Sequence, residues 1–224
     1  MISFTKSRRT LFLVAALTVA AFNIFGCGGK GDGTEKSGAF TDSRDGQSYR
    51  AVKIGGHVWM AENLNYKTDD SYCYGNDDSN CKKYGRLYDG YPSNACPTGW
   101  HVPSVEEWND LIQTVGGGDS GVTGKKLKSK SGWNDNGGGT DNYGFSALPG
   151  GSRTTFGEFV NIGNTGVWWT ASQTDTEWEI YSNLPLFKSM NSGADGVDES
   201  YSRKIGGDEN EGESEGFSVR CVQN

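Results

Sequence analysis

The chain has 224 residues, a formal net charge of -7 at neutral pH and 34 glycines, with seven Trp and ten Tyr among its aromatics. So acidic a chain is repelled by nucleic acid and by anionic lipid headgroups, which excludes a nucleic-acid-binding role. Glycine in company with many aromatics argues against disorder and against long helices, and for short strands and tight loops around a few large anchors.

In chain order, the first segment reads as an export signal. Lys6, Arg8 and Arg9 precede an apolar run that starts near Leu11 and closes on Ile24-Phe25-Gly26-Cys27. A basic flank, a short apolar stretch and a small residue at the cut are the parts of a secretory signal. Crossing a bilayer takes about 20 apolar residues, whereas this run is shorter and is interrupted by Asn23. Because it ends on Gly-Cys, it resembles a bacterial lipoprotein signal. That resemblance implies a signal peptide over 1–26, lipid on Cys27, and a chain held by its first mature residue at the cell envelope, at the outer membrane or cell surface. Losing Lys6, Arg8 and Arg9 makes the mature chain more acidic still. Residues 28–38 carry no apolar side chain, so 27–39 is expected to be a flexible tether and 40–224 the domain.

Within the domain, residues 49–61 predict a hairpin turning on Gly55-Gly56. Residues 74–80 read as a polar loop. A helix is predicted over 105–115, with Ser104 as N-cap, Glu107 completing a capping box, and Val105, Trp108, Leu111, Ile112 and Val115 on one face; Gly116 ends it. The second half offers strands at 145–148, 167–171 and 217–222. Acids outnumber bases between 175 and 215, where long exposed loops are expected. The fold class is α+β, small antiparallel sheets with one or two helices and glycine-rich loops.

Four cysteines follow Cys27: Cys73, Cys81, Cys96 and Cys221. An even number in an exported chain reads as two disulfides. Three pairings are open, and the most economical joins Cys73 to Cys81 and Cys96 to Cys221. Zinc is disfavoured because no CxxC occurs and only His57 and His101 are at hand.

Six ordered blocks carry a family resemblance: FTDSRDGQSY at 40–49, WMAENLNY at 59–66, YGRLY at 84–88, CPTGWHVPS at 96–104, DNYGFSALPGG at 141–151 and GFSVRCV at 216–222. Together they resemble the Fibrobacter succinogenes major paralogous domain family, whose members look like exported, often lipid-anchored surface proteins. More distantly, the stretch from Trp100 to Trp108 and the ending from Gly216 to Cys221 are similar to the C-type lectin-like fold, which includes formylglycine-generating enzymes. A mid-domain cysteine bridged to the C-terminal strand also suits that fold.

The lectin similarity directs attention to two Trp-Asn-Asp triplets, at Trp108 and at Trp133, because in sugar-binding lectins the Asn and Asp ligate calcium. The first copy falls inside the predicted helix. The second is far upstream of Cys221 and has no Glu-Pro-Asn partner. Residues 77–80 and 136–142 are oxygen-rich and suit a structural calcium ion, although turn chemistry explains them equally well. Trp168 and Trp169, adjacent on a predicted strand, point to opposite faces: one is expected in the core, while the other is either covered or an aromatic platform for a sugar ring. Tyr143, Trp133 and Trp178 would extend that platform.

No GxSxG, HExxH or Walker loop occurs, and His57 and His101 read as structural. The expected role is therefore a non-enzymatic, lipid-anchored surface module that binds or organises extracellular material such as polysaccharide, with no cofactor. The alternatives are a structural envelope protein with protein partners and an oxidase of the formylglycine-generating type, which would require a reactive cysteine pair.

Overall fold

The computed structural model describes residues 38–117, 120–177, 182–202 and 214–224. The signal, Cys27, most of the tether, Trp178 and parts of the acidic segment lie outside the described residues.

The chain begins with β1 (Gly38–Thr41), β2 (Ser48–Ile54) and β3 (His57–Met60). Next come β4 (Ser71–Tyr72), α1 (Asp78–Tyr84), β5 (Leu87–Asp89), β6 (Trp100–His101), α2 (Val105–Gly116) and α3 (Thr123–Leu127). The second half adds β7 (Ser152–Arg153), β8 (Phe159–Val160), β9 (Thr165–Gln173) and β10 (Pro185–Asn191). It closes with β11 (Asp198–Tyr201), β12 (Gly216–Phe217) and β13 (Val222–Gln223). Among the described residues the strands form three sheets, ordered β1-β2-β3-β13-β6, β11-β10-β9 and β4-β5-β12-β7-β8. Every pairing between these strands is antiparallel. Small antiparallel sheets with few helices are what the sequence predicts. None of the described helices is long and apolar enough to cross a membrane.

The hairpin forms as expected: Ile54 faces His57 across the turn, and Gly55 takes φ 62. The capping box of α2 is also complete, with Glu107 N donating to Ser104 Oγ at 3.2 Å and Ser104 N donating to Glu107 Oε2 at 2.8 Å. Trp108, Leu111 and Val115 are buried along its inner face. Gly116 is the last helical residue, and Gly117 supplies the left-handed cap at φ 63.

Four local expectations are corrected. Residues 74–80 are not a plain loop: a 3-10 turn (Tyr74–Asn76) leads into α1, whose N-cap Asp77 accepts from Ser79 N at 2.8 Å. α3 is a further short helix. Residues 145–148 form no strand, because Ser146 takes φ 53 and only Ala147 makes a bridge, to Lys128. The acidic segment contains β10 and β11. There β10 lies against β9 with Pro185, Lys188 and Met190 buried.

The C-terminal segment joins the sheets. Gly216 and Phe217 pair with β5 and β7. Ser218 then bridges Trp168, Val219 O accepts from Leu64 N at 2.8 Å, Cys221 O accepts from Met60 N at 2.9 Å, and Val222 pairs with Trp59 and His101. The predicted strand 217–222 is thus two short strands separated by residues that serve other elements. Two hydrophobic clusters result. One gathers Trp59, Trp108, Phe145 and Trp168; the other gathers Tyr49, Tyr88, Trp169 and Phe217. Disulfides join Cys73 to Cys81 and Cys96 to Cys221, with Cα separations of 4.9 and 5.9 Å. This is the most economical of the three pairings.

Candidate functional site

The aromatic candidates do not make a platform. Trp168 is 0% and Trp169 1% exposed, because β9 runs between the two clusters and each of its faces is a core. Their indole N–H groups point inward, Trp168 Nε1 to Asn63 Oδ1 at 2.9 Å and Trp169 Nε1 to the Tyr88 carbonyl at 2.8 Å. Trp133 is 7% exposed and donates to the Ala147 carbonyl at 3.1 Å. Tyr143 packs half-buried on the first cluster.

Three of the four Asn and Asp side chains of the Trp-Asn-Asp triplets are likewise committed to local structure. Asn109 accepts from Lys188 Nζ at 3.1 Å and Asp110 faces His57 Nε2 at 3.3 Å. Asn134 donates to Asn164 Oδ1 at 3.0 Å. In the 136–142 loop, the Asp141 carboxylate accepts from Ser146 N and Oγ, each at 2.7 Å. Among the described residues, no group of three or more His, Cys, Asp or Glu is arranged to hold a metal ion.

Both histidines pack against the start of α2. His101 sits between Glu107, at 2.8 Å, and Asn224 Oδ1, at 2.6 Å. His57 lies 3.7 Å from the same Glu107 carboxylate. The described cysteines are all disulfide-bonded.

Several of the sequence blocks meet in one buried polar network instead. Arg220 is wholly buried and donates to Asn63 Oδ1 from Nε at 3.2 Å and from Nη2 at 2.8 Å. It also donates to the carbonyls of Phe145 and Ser146, and its guanidinium lies 4.3 Å from the centre of the Phe145 ring. Burial pushes its pKa down to about 9, which leaves it charged at neutral pH. Asn63 Nδ2 donates to the Tyr84 carbonyl at 2.8 Å. Asn63 and Arg220 together therefore tie the blocks at 59–66, 84–88, 141–151 and 216–222 to one another and to β9.

Above this network opens a groove of about 370 Å³, within the range of small-molecule sites (about 300–1,000 Å³). Its walls are residues 47–50 of the β2 side, Ala61, Glu62, Asn63 and Asn65 after β3, and Cys81 to Gly85 at the end of α1, with Ser146 and Leu148 closing it. The fold places these walls through three features. Arg50 N donates to Glu62 Oε2 at 2.9 Å, and Arg50 Nε donates to Glu62 Oε1 at 3.2 Å. Gly85 bends the chain at φ 77 and ψ -170, and a Cβ there would stand 2.7 Å from Asn63 Cβ and 2.8 Å from the Leu64 carbonyl oxygen. The Cys73–Cys81 bridge anchors α1 from below.

The lining mixes apolar surface with several polar side chains. Gln47 Nε2 donates to Tyr49 Oη at 2.7 Å, and Asn65 Nδ2 donates to Gln47 Oε1 at 3.2 Å. Burial, opposed in part by hydrogen bonds from Asn65 N and Gln47, pushes the Tyr49 hydroxyl up to about 12, so it stays protonated. Asn65 Oδ1 is shielded from solvent and has no hydrogen-bond partner. Lys82 and Lys83 stand exposed on the α1 wall. Sequence reasoning missed this site because its walls come from three separated stretches; the Lys82-Lys83 pair beside Cys81 was the one local signal.

No curated protein and no solved structure matches the chain. The Fibrobacter succinogenes major domain matches residues 52–223, a span that holds most of the groove wall and the whole Asn63–Arg220 network. The chain belongs to the Fibrobacter succinogenes major domain family.

Proposed function

We propose that this protein is an exported, lipid-anchored surface module that binds extracellular polysaccharide in the groove between β2, the segment after β3 and α1. The observation that carries this reading is the groove itself, lined by amide, hydroxyl and charged groups of the kind that hydrogen-bond sugar hydroxyls. Two disulfides fit a chain that matures in an oxidising compartment, as the segment ending at Cys27 requires. Acylated there, the domain would be held at the outer membrane or cell surface and reach outward on residues 27–39. The scaffold, with its bridge from the middle of the domain to the C-terminal segment, is read as C-type lectin-like. The lining includes no histidine, Cys81 is bridged, and Glu62 is paired with Arg50. The module is read as non-enzymatic.

The test is calorimetric titration of the full-length chain in detergent micelles with oligosaccharides of cellulose, xylan, chitin and polygalacturonate. At least one should bind, and Ser48→Trp, which fills the groove from an exposed position on β2, should weaken that binding at least about tenfold, the equivalent of about 1.4 kcal/mol. Indifference to every glycan, or undiminished binding by the Trp variant, would overturn the reading.

A second reading, an envelope protein with protein partners, is favoured by Phe156. Its ring is 78% exposed in the turn between β7 and β8. A Phe156→Ser change should abolish envelope pull-downs if that is the docking point.

A further inference from the structure

We propose that the groove selects an anionic sugar unit, a uronate, whose carboxylate is held by Lys82 and Lys83. This rests on the glycan reading of the same groove and adds the class of ligand.

The charge of the lining is opposite to that of the molecule. The chain carries a formal -7, yet the groove is lined by Arg50, Lys82 and Lys83 against the single carboxylate of Glu62. That carboxylate is already engaged, because both its oxygens accept from Arg50. Among the described residues neither lysine forms an ion pair, and Lys83 Nζ lies 4.7 Å over the Tyr84 ring. The uncompensated charge of the groove is therefore positive.

Cations in the last turn of a helix also offset its dipole, and that alone would explain lysines at the end of α1. It does not explain why both line the groove, opposite the amides of Gln47 and Asn65. The amides of Gln47 and Asn65 in the same lining are of the kind that exchange hydrogen bonds with sugar hydroxyls. Carboxylate and hydroxyl together describe a uronate. An acidic peptide fits less well: β2 pairs with β1 along this wall, and on its other edge the Arg50 amide and carbonyl are already taken, by Glu62 Oε2 at 2.9 Å and by Ala61 N at 2.8 Å, so the edge at Arg50 cannot receive a peptide backbone.

The experiment compares wild type, Lys82→Gln/Lys83→Gln and a control, Lys130→Gln, which alters an exposed lysine outside the groove lining. Each full-length chain, in detergent micelles, is titrated with oligogalacturonate, xylo-oligosaccharide and polyglutamate. Oligogalacturonate should bind wild type most tightly, and the affinity should fall as salt is raised. The double variant should bind it about tenfold more weakly, with xylo-oligosaccharide binding unchanged, and the control should match wild type. Equal binding of oligogalacturonate and xylo-oligosaccharide, or a double variant altered only in melting temperature, overturns the charge selection and leaves the glycan reading standing. Polyglutamate binding as tightly as oligogalacturonate overturns the sugar assignment. Failure of both oligosaccharides to bind removes the glycan reading and this inference together.

Discussion

Asn63 Oδ1 accepts three hydrogen bonds, from Trp168 Nε1 and from two nitrogens of Arg220. Among the described residues no carboxylate hydrogen-bonds the guanidinium: its direct partners are an amide oxygen, two carbonyls and an aromatic face, and Asp141 and Glu62 favour its charge only from further away. Such an arrangement is destabilised more by removing the acceptor than by removing the charge, because a buried cation left without partners is the costlier defect. Asn63→Leu should therefore lower stability by about 3–5 kcal/mol. Arg220→Met, which strands only carbonyls, should cost about 1–3 kcal/mol. Urea denaturation of the two variants checks the order, and the reverse ranking would mean that the network is not organised around Asn63. Asp42 shows the complementary case of a paired buried charge. Burial works against its carboxylate, but the hydrogen bonds and charge of Arg44 outweigh burial and hold its pKa below the ordinary 3.8. That stabilisation is present above about pH 4 and is lost as pH falls through the lowered value.

Elements were legible in the sequence where local chemistry alone specifies them. The β2–β3 turn and the capping box of α2 need only neighbours in sequence, and both formed as read. β10 was hidden because its inward positions include Lys188, a residue type that signals surface. The lysine is buried only because Asn109 and Glu199, from α2 and β11, receive its ammonium at 3.1 and 2.6 Å. α1 was hidden by its polar composition, and it holds its place through the Cys73–Cys81 bridge and the Asp77 cap. The link from α1 back to Asn63 passes through Gly85, whose backbone angles few residues other than glycine adopt. Gly85→Ala should cost about 2 kcal/mol and displace the α1 wall of the groove. Thermal unfolding measures the first effect, and an unshifted midpoint would show that this wall tolerates strain.

Across the whole molecule, the two disulfides differ in what they constrain. The bridge from Cys96 to Cys221 spans 125 residues and pins the C-terminal segment that joins the sheets, whereas Cys73 to Cys81 spans eight. By loop-closure entropy the long bridge contributes about 5 kcal/mol and the short one about 2.5 kcal/mol. Cys96→Ala/Cys221→Ala should thus reduce stability about twice as much as Cys73→Ala/Cys81→Ala. Equal losses in guanidinium denaturation would show that native-state packing, not the unfolded chain, sets the contribution.

Taken alone, the sequence determined the α+β class, the hairpin, the capped helix and the family, and it narrowed the cysteines to three pairings, among which the structure selects the most economical. All of these depend on spacing along the chain or on short ordered motifs. The groove and the fate of the tryptophans were decided only by tertiary structure. Alternation along β9 says that Trp168 and Trp169 face opposite ways, but whether either face meets solvent depends on what packs there, and here each meets a core. The groove exists because residues 47–50, 61–65 and 81–85 converge on Asn63, a contact among distant segments to which no local pattern corresponds.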